Sequence, residues 1–539
     1  MNKFAALLDQ LILTPSRNGK LRLLTAYFRN VPDPERGWAV AAITRDIEIK
    51  SFKPAMLREL IYERMDAQLF DLSYDYVGDL AETVSLVWPA QHGTNYLPGL
   101  SEVVEALATA KRTDAPKLVE GWLNALDPSG RWALIKLITG GLRIGVASRL
   151  VKQALAAFGD KPIQEIEELW HGLEAPYTDL FSWLEGKTDK PVNAMKAPFR
   201  PVMLAHPVEE KDKARIDLTT HVAEWKWDGI RVQAVSEAGV KRLYSRTGDD
   251  ISGAFPDILE AMNVDAAIDG ELLVFDPEAD GFQVRPFNDL QQRLNRKTVT
   301  KKLLASHPAF IRAYDLLWLD GEDLRPQAFA ARRTRLEALL ADISTRPTPE
   351  NGIRLDLSEQ VDVTDWEQLA KLRAEPPLAA IEGLMLKKRS APYVPGRPKG
   401  EWWKWKREPF LVDTVLMYAQ RGHGKRSSFY SDYTFGVWRQ GEDGDELVPV
   451  GKAYSGFTDD ELKRIDKFVR DNTVDRFGPV RAVKMGPDDG LVLEVAFEGL
   501  NRSTRHKSGV AMRFPRISRL RWDKPAHEAD RIEMLEGLL

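Results

Sequence analysis

Not one of the 539 residues is cysteine, which excludes disulfides, thiolate-held zinc and a cysteine nucleophile together. Positive charge is not in excess either. Lys and Arg number 76 against 80 Asp and Glu, a formal net charge of −4, so any surface for a polyanion must be local. No run approaches the length of a membrane span, and the opening MNKFAALLDQLILTPSRNGK lacks the long apolar core and small-residue cleavage site of an export signal. The expectation is a cytoplasmic protein with no membrane partner, nucleoid-associated if bacterial. Internal repeats and low-complexity tracts are missing as well.

What is present reads in three parts. Up to about residue 190 the pattern is helical, with apolar residues three and four apart in 103–110, 117–126 and 132–138. Gly140-Gly141-Leu142-Arg143-Ile144-Gly145 interrupts it, and Leu150, Val151, Ala154, Leu155 and Phe158 then resume it on one face. A glycine-rich, arginine-bearing helix start can meet a phosphate; it can equally be a loop between two core helices. Four prolines between Pro191 and Pro207 make an extended connector. From His221 to Lys406 alternating strands are separated by helical runs, 326–343 among them. After Glu408 short strands such as 435–440 and 491–497, with glycine-rich turns, predict a small barrel or sandwich.

The chemistry centres on Ala223-Glu224-Trp225-Lys226-Trp227-Asp228-Gly229-Ile230-Arg231. Read as one strand, period-2 alternation puts Glu224, Lys226 and Asp228 on one face, with Trp225 and Trp227 packed behind. Gly229 leaves room for a close backbone approach. A free lysine titrates at about 10.4, so it is a weak nucleophile at neutral pH unless desolvation or cations favour the free amine. Candidate acids and cations follow. In 266–275 Glu271 faces away from Ile268, Leu272 and Val274; in 401–406 Lys404 and Lys406 share a face backed by Trp403 and Trp405. In 380–388 strict alternation puts Glu382 and Lys387 on opposite faces, so a bulge or strand end must intervene if both serve one site. Carboxylates suit a divalent metal or a ribose, and lysines suit phosphate oxygens. Between Asn501 and Trp522 there are seven basic residues and no acidic one, a local excess that favours a polyanion partner.

The ordered set Lys226-Trp227-Asp228-Gly229, Ser245-Arg246, Asp269-Gly270-Glu271, Tyr314-Asp315, Glu382-Gly383-Leu384-Met385-Leu386-Lys387, Trp403-Lys404-Trp405-Lys406 and Arg521-Trp522-Asp523-Lys524 resembles the nucleotidyltransferase motifs of ATP-dependent DNA ligases. The first motif alone is a weak pattern; the full set in order over about 300 residues is hard to obtain by chance. Pro201-Val202-Met203-Leu204-Ala205-His206-Pro207, Arg513-Phe514-Pro515-Arg516 and Leu142-Arg143-Ile144-Gly145-Val146-Ala147 resemble flanks of the larger members. The fold so implied is multidomain: an all-α N-terminal DNA-binding domain at 1–195, an α+β nucleotidyltransferase (adenylation) domain at 196–407 and a C-terminal β-barrel OB-fold at 408–539.

Carried over to this sequence, the resemblance implies that Lys226 attacks the α-phosphate of ATP and becomes a lysyl-AMP. Glu224 helps select adenine, Tyr314 flanks the base, and Arg231, Arg246, Glu271 and Lys387 complete the nucleotide site. Lys404 and Lys406 meet the α-phosphate, and Arg516, Arg521 and Lys524 belong to the ATP site from the tail, the last two on the leaving pyrophosphate. Glu271 and Glu382 hold Mg²⁺ or Mn²⁺; Gly141, Arg143, Arg502 and Arg505 meet DNA. The implied enzyme is a monomer able to encircle its partner, nicked duplex DNA, with ATP as substrate. A tail domain pivoting near Arg407-Glu408-Pro409 is part of the same expectation. An NAD-dependent ligase is disfavoured by the missing zinc-finger cysteines. RNA ligases and capping-type nucleotidyltransferases share the lysine motif, and the helical domain argues against both. A non-catalytic nick-binding repair protein is the third reading, which the intact Lys226, Glu271, Glu382 and Lys404 disfavour.

Overall fold

The computed structural model describes residues 1–539 except 78, 90–95, 193, 194, 280–282, 295, 297, 345–353, 422–428, 443, 504 and 505. Its contacts divide the chain into two compact units. One comprises Met1–Ile163, Glu174–Pro191 and Pro409–Leu539; the other comprises Gln164–Leu173 and Val192–Glu408.

The N-terminal part is helical, as the apolar spacing predicts. Leu100–Thr109, Ala115–Ala125, Pro128–Ile138 and Ser148–Gly159 bury Val103, Leu107, Val119, Leu123, Leu134, Val151 and Leu155. Helix starts are set by Ser16, Asp79 and Asp127, whose side chains accept from the N–H groups of Gly19, Glu82 and Gly130. A buried arginine ties the bundle together. Arg36 donates to Asp33 (2.6 Å), Glu185 (2.6 Å) and the Phe28 carbonyl (3.1 Å), and lies 4.2 Å from the Phe181 ring centre. Among the described residues no helix is long and apolar enough to cross a membrane.

The C-terminal part is built on the strand Phe410–Arg421. Val492–Phe497 pairs antiparallel with its first half, and Tyr430–Gly441 and Val480–Val483 pair antiparallel with its second half on opposite edges, so the sheet curls around Val412, Leu416, Phe435, Val448, Leu493 and Phe497. Helix Asp459–Asp471 adds Ile465 and Val469 to that core. This is the expected barrel.

The unit holding Lys226 contains two sheets. Five strands run in the order His206–Pro207, Trp402–Lys406, Ile381–Lys388, His221–Trp227 and Gln360–Val361. Val240–Ser245, Ile230–Glu237, Ala266–Val274, Ala309–Leu319 and Glu322–Asp323 form the second, with Leu355–Leu357 alongside Ala309–Leu319. Its apolar face, including Val232, Ile268, Leu272, Val274 and Ile311, packs with Ile258 and Leu336 from helices Pro256–Ala261 and Phe329–Ser344. The second helix starts three residues later than the sequence suggests, because Arg325 is turned back onto Asp323 and the Gln327 N–H bonds to the Leu324 carbonyl. The lysine strand is also shorter than the nine-residue reading. It ends at Trp227, and Asp228 and Gly229 lead into Ile230 of the other sheet. Gly229 is needed there, since a Cβ would sit 2.4 Å from the Leu272 carbonyl oxygen.

Candidate active site

Lys226 lies opposite Gly383, Glu224 opposite Met385 and Val222 opposite Lys387, while Met385 and Gly383 face Lys404 and Lys406 on the far side. Directly paired residues share a face. Lys226, Glu224, Lys387, Lys404 and Lys406 therefore line one surface, with Trp225 and Trp227 packed into apolar clusters behind. Strict alternation would exclude Glu382 from this surface. The register slips between Ile381 and Gly383, the bulge that the sequence requires, and Glu382 turns onto the lysine side. Gly383 permits the slip. Its φ is +147°, and a Cβ would lie 2.3 Å from the Trp405 carbonyl oxygen.

One carboxylate then serves two lysines. Glu382 accepts from Lys226 through Oε1 and pairs with Lys406 through Oε2 at 2.9 Å. Lys404 sits at the same face, where burial together with Lys226, Lys406, Arg397 and Arg246 pushes its ammonium below the usual lysine range. Arg246 itself is exposed. Glu271 comes from the second sheet, flanked in register by Arg231 and Arg312. Each of these arginines is turned to another acid: Arg231 to Asp269 at 2.6 Å, Arg312 to Asp356 at 2.6 Å. Burial pushes the Glu271 carboxyl up to about 8, with Lys226 opposing and Glu382 reinforcing the rise.

A second group sits around Glu224, which is 1% exposed. Its Oε2 accepts from Lys387 at 2.8 Å, and its Oε1 is buried with no hydrogen-bond partner. Burial raises the Glu224 carboxyl and Lys387 opposes it. Tyr314 is half-buried beside this pair, its ring centre 4.4 Å from Lys387 Nζ and 5.8 Å from Arg231 Cζ. Arg231 is heavily engaged. It donates to Asp269, to the Met203 carbonyl (2.6 Å) and to the Tyr393 hydroxyl (3.0 Å), which in turn donates to Asp269 at 2.6 Å.

The remaining candidates lie in the other unit. Arg521 and Lys524 both donate to Asp413 Oδ2; Arg516 is half-buried at the start of the strand Arg516–Arg521, and Arg502 is exposed at the end of Gly499–Arg502. Arg505 falls outside the described residues. The stretch 140–145 is a loop between two core helices, with Leu142 and Ile144 buried, Gly141 half-buried and Arg143 exposed. Lys20 grips it by donating to the carbonyls of Gly145 (2.8 Å) and Ile144 (3.2 Å). Lys20, Arg312, Arg333, Tyr393 and Asp413 are missed from sequence, because each is placed by a long-range contact and sits in none of the spaced motifs.

Among the described residues no cluster of three or more His, Asp or Glu can hold a metal unaided. The two acids at the lysine face nonetheless fit a divalent ion. Burial holds the Glu271 carboxyl up and Glu382 adds to the rise, a cost that a hard cation relieves, and Mg²⁺ is commonly held by one or two carboxylates plus substrate phosphates.

Comparison with known proteins identifies the family. Residues 202–406 match the family model for the ATP dependent DNA ligase domain, 426–524 that for the ATP dependent DNA ligase C terminal region, and 1–156 that for the DNA ligase N terminus. A probable DNA ligase of Koribacter versatilis is 33% identical over 442 residues, covering 77% of this chain and 73% of the relative. DNA ligase 1 of Korarchaeum cryptofilum is 30% identical over 448 residues, covering 81% and 78%. A solved structure described as Pmar-Lig_PreS3 shares the fold, with a TM-score of 0.59 at 14% identity over 96% of this chain and 99% of that one. With these matches spanning the helical part, the lysine-bearing sheets and the strand-rich C-terminal part, this chain belongs to the ATP-dependent DNA ligases, enzymes that seal nicks in DNA.

Proposed function

We propose that Lys226 takes AMP from ATP and that the surrounding residues divide the nucleotide between them. The observation that carries this reading is the slip at Glu382, which brings this acid onto the face that Lys226, Lys404 and Lys406 share. Lys226 Nζ bonds to the α-phosphorus as the bond to the β-phosphate oxygen breaks and pyrophosphate leaves. AMP then passes from the lysine to the 5′-phosphate of a nick, and the 3′-hydroxyl displaces it. Lys404 and Lys406 neutralise charge on the transferring group, and Glu382 holds the attacking amine in place. Arg246 supports the phosphates and Glu271 the ribose or metal. The buried Oε1 of Glu224, which accepts no hydrogen bond, is an acceptor suited to an adenine amino group, with Tyr314 beside the base and Arg231 against the Tyr314 ring. A divalent ion, Mg²⁺ or Mn²⁺, held by Glu271 and Glu382 would neutralise phosphate charge when bound.

Arg516, Arg521 and Lys524 are assigned to the triphosphate and its leaving group, and Gly141, Arg143, Arg502 and Arg505 to nicked duplex DNA. Domains of 1–195, 196–407 and 408–539, acting as a monomer, complete the proposal. Its test is direct. Incubation with α-labelled ATP should label the chain through an acid-labile phosphoramide, and addition of a nicked duplex should discharge the label into sealed product. Labelling by GTP in preference to ATP, or no transfer to DNA, would refute it.

A further inference from the structure

Lys387 stands apart from the other lysines of the site. It is 1% exposed, and its ammonium is enclosed by three rings, with Tyr314, Trp402 and Phe329 centred 4.4, 4.7 and 5.1 Å from Nζ. Its hydrogen bonds run to Glu224 Oε2 at 2.8 Å and to the backbone carbonyl of Tyr314 at 3.5 Å. It therefore touches both residues assigned to the base.

Tyr314 also has an irregular backbone. Across the strand pair, Asp269 faces Asp315 while Gly270 faces Ala313, so Tyr314 is the extra residue of a bulge. Such a residue drops out of the ladder and its side chain is re-aimed. Something must then hold it. Lys387 takes it at two points, the carbonyl and the ring, a hydrogen bond and a cation–π contact from one ammonium. Glu224 anchors that ammonium from behind, and Arg333 Nη1 lies 3.7 Å from the other oxygen of Glu224 as a second positive charge. A buried ion pair is costly to form, and this one is spent on geometry, since its donors point at Glu224 and Tyr314.

We propose that Lys387 is a positioning residue that locks the Tyr314 bulge and so sets the platform for the nucleobase, and that it is no ligand of the phosphates. This rests on the reading of Tyr314 as the residue beside the base. Lysine and methionine have similar reach, so Lys387→Met removes the charge while keeping the ring cage filled.

Self-adenylation provides the readout, with two competitors that split the nucleotide: adenosine, which lacks phosphates, and inorganic tripolyphosphate, which lacks a base. In Lys387→Met the KM for ATP should rise about tenfold and adenosine inhibition weaken by the same factor, the scale of one lost cation–π contact with its hydrogen bond. Inhibition by tripolyphosphate and the rate at saturating ATP should stay within about twofold. In a Tyr314→Ala background the Lys387 substitution should add nothing further. Weaker tripolyphosphate inhibition, unchanged adenosine inhibition, or additive losses in the double variant would each overturn the inference. Should Lys387→Met fail to fold, Lys387→Gln, which keeps a donor for the Tyr314 carbonyl, is put through the same two competitions and the same cycle. A wild-type chain that forms no lysyl-AMP would instead overturn the parent reading.

Discussion

Lys524 donates to Asp413 across 2.8 Å, and Arg521 reaches the same oxygen at 3.2 Å, while Asp413 Oδ1 is buried without a partner. Two cations assigned to pyrophosphate are thus held by one acid of their own domain. Replacing both, as Arg521→Ala with Lys524→Ala, should abolish adenylation by ATP. Sealing of a nick that already carries 5′-AMP should be largely spared, because pyrophosphate has no part in that step. Gel assays of the two reactions side by side decide it; equal loss in both would assign these residues to folding or DNA binding.

Lys226→Ala should form no covalent AMP adduct at any ATP concentration, whereas Trp227→Tyr, whose ring packs away from the reactive face, should still form one. Peptide mass mapping locates the adduct. A normal yield at another lysine in the alanine variant would refute the assignment of the nucleophile.

Glu185 offers a test by pH. Hydrogen bonds from Arg36 and then Lys187, both at 2.6 Å, hold its carboxyl at about 2, below its ordinary 4.5. An acid whose folded value is depressed stabilises the fold fully above its unfolded value, and that contribution fades as pH falls toward the folded one. Glu185 is exposed, so solvent screens these contacts, and Glu185→Gln should cost about 1 kcal/mol or less near neutral pH. The melting-temperature gap to wild type should shrink between pH 4.5 and about 2. A gap independent of pH would show that packing, not charge, is lost.

Gln164–Leu173 packs with the unit that holds Lys226: Glu168 pairs with Arg325 at 3.2 Å, and the His171 ring lies 4.9 Å from that of Phe199. A chain beginning at Lys196 should keep self-adenylation and bind nicked DNA far more weakly, with a shallower salt dependence. It should also melt several degrees below a chain beginning at Lys161, since it lacks those contacts. Nick affinity unchanged over a salt series would show that the helical region serves something else.

Local periodicity was enough for part of the site. Lys226 and Glu224 on one face, Lys404 and Lys406 on another strand, and Glu271 turned from its apolar neighbours all follow from period 2. Alternation also showed that Glu382 and Lys387 conflict. It could not say where the slip lies, because that depends on the register with Trp225–Trp227 and on the close approach at Gly383, both set by residues far away in sequence. Arg333, Tyr393 and Asp413 are illegible for the same reason. The helical and barrel cores were readable from spacing and turns, whereas the affiliation of Gln164–Leu173 was not, since its helical pattern is the same whichever neighbour it packs on.

The slip at Glu382 makes the length of Ile381–Lys388 a determinant of reactivity alongside its composition. On the N-terminal side of the slip the strand keeps one parity and on the C-terminal side the other. Inserting a residue between Gly383 and Leu386 would reverse the second parity alone, placing Leu386 where Lys387 stands inside the ring cage while leaving Glu382 on Lys226. Apolar replacements at Leu384 and Leu386 can be absorbed here one by one. A frame of odd length cannot, so this short strand should drift in sequence far more readily than in residue count.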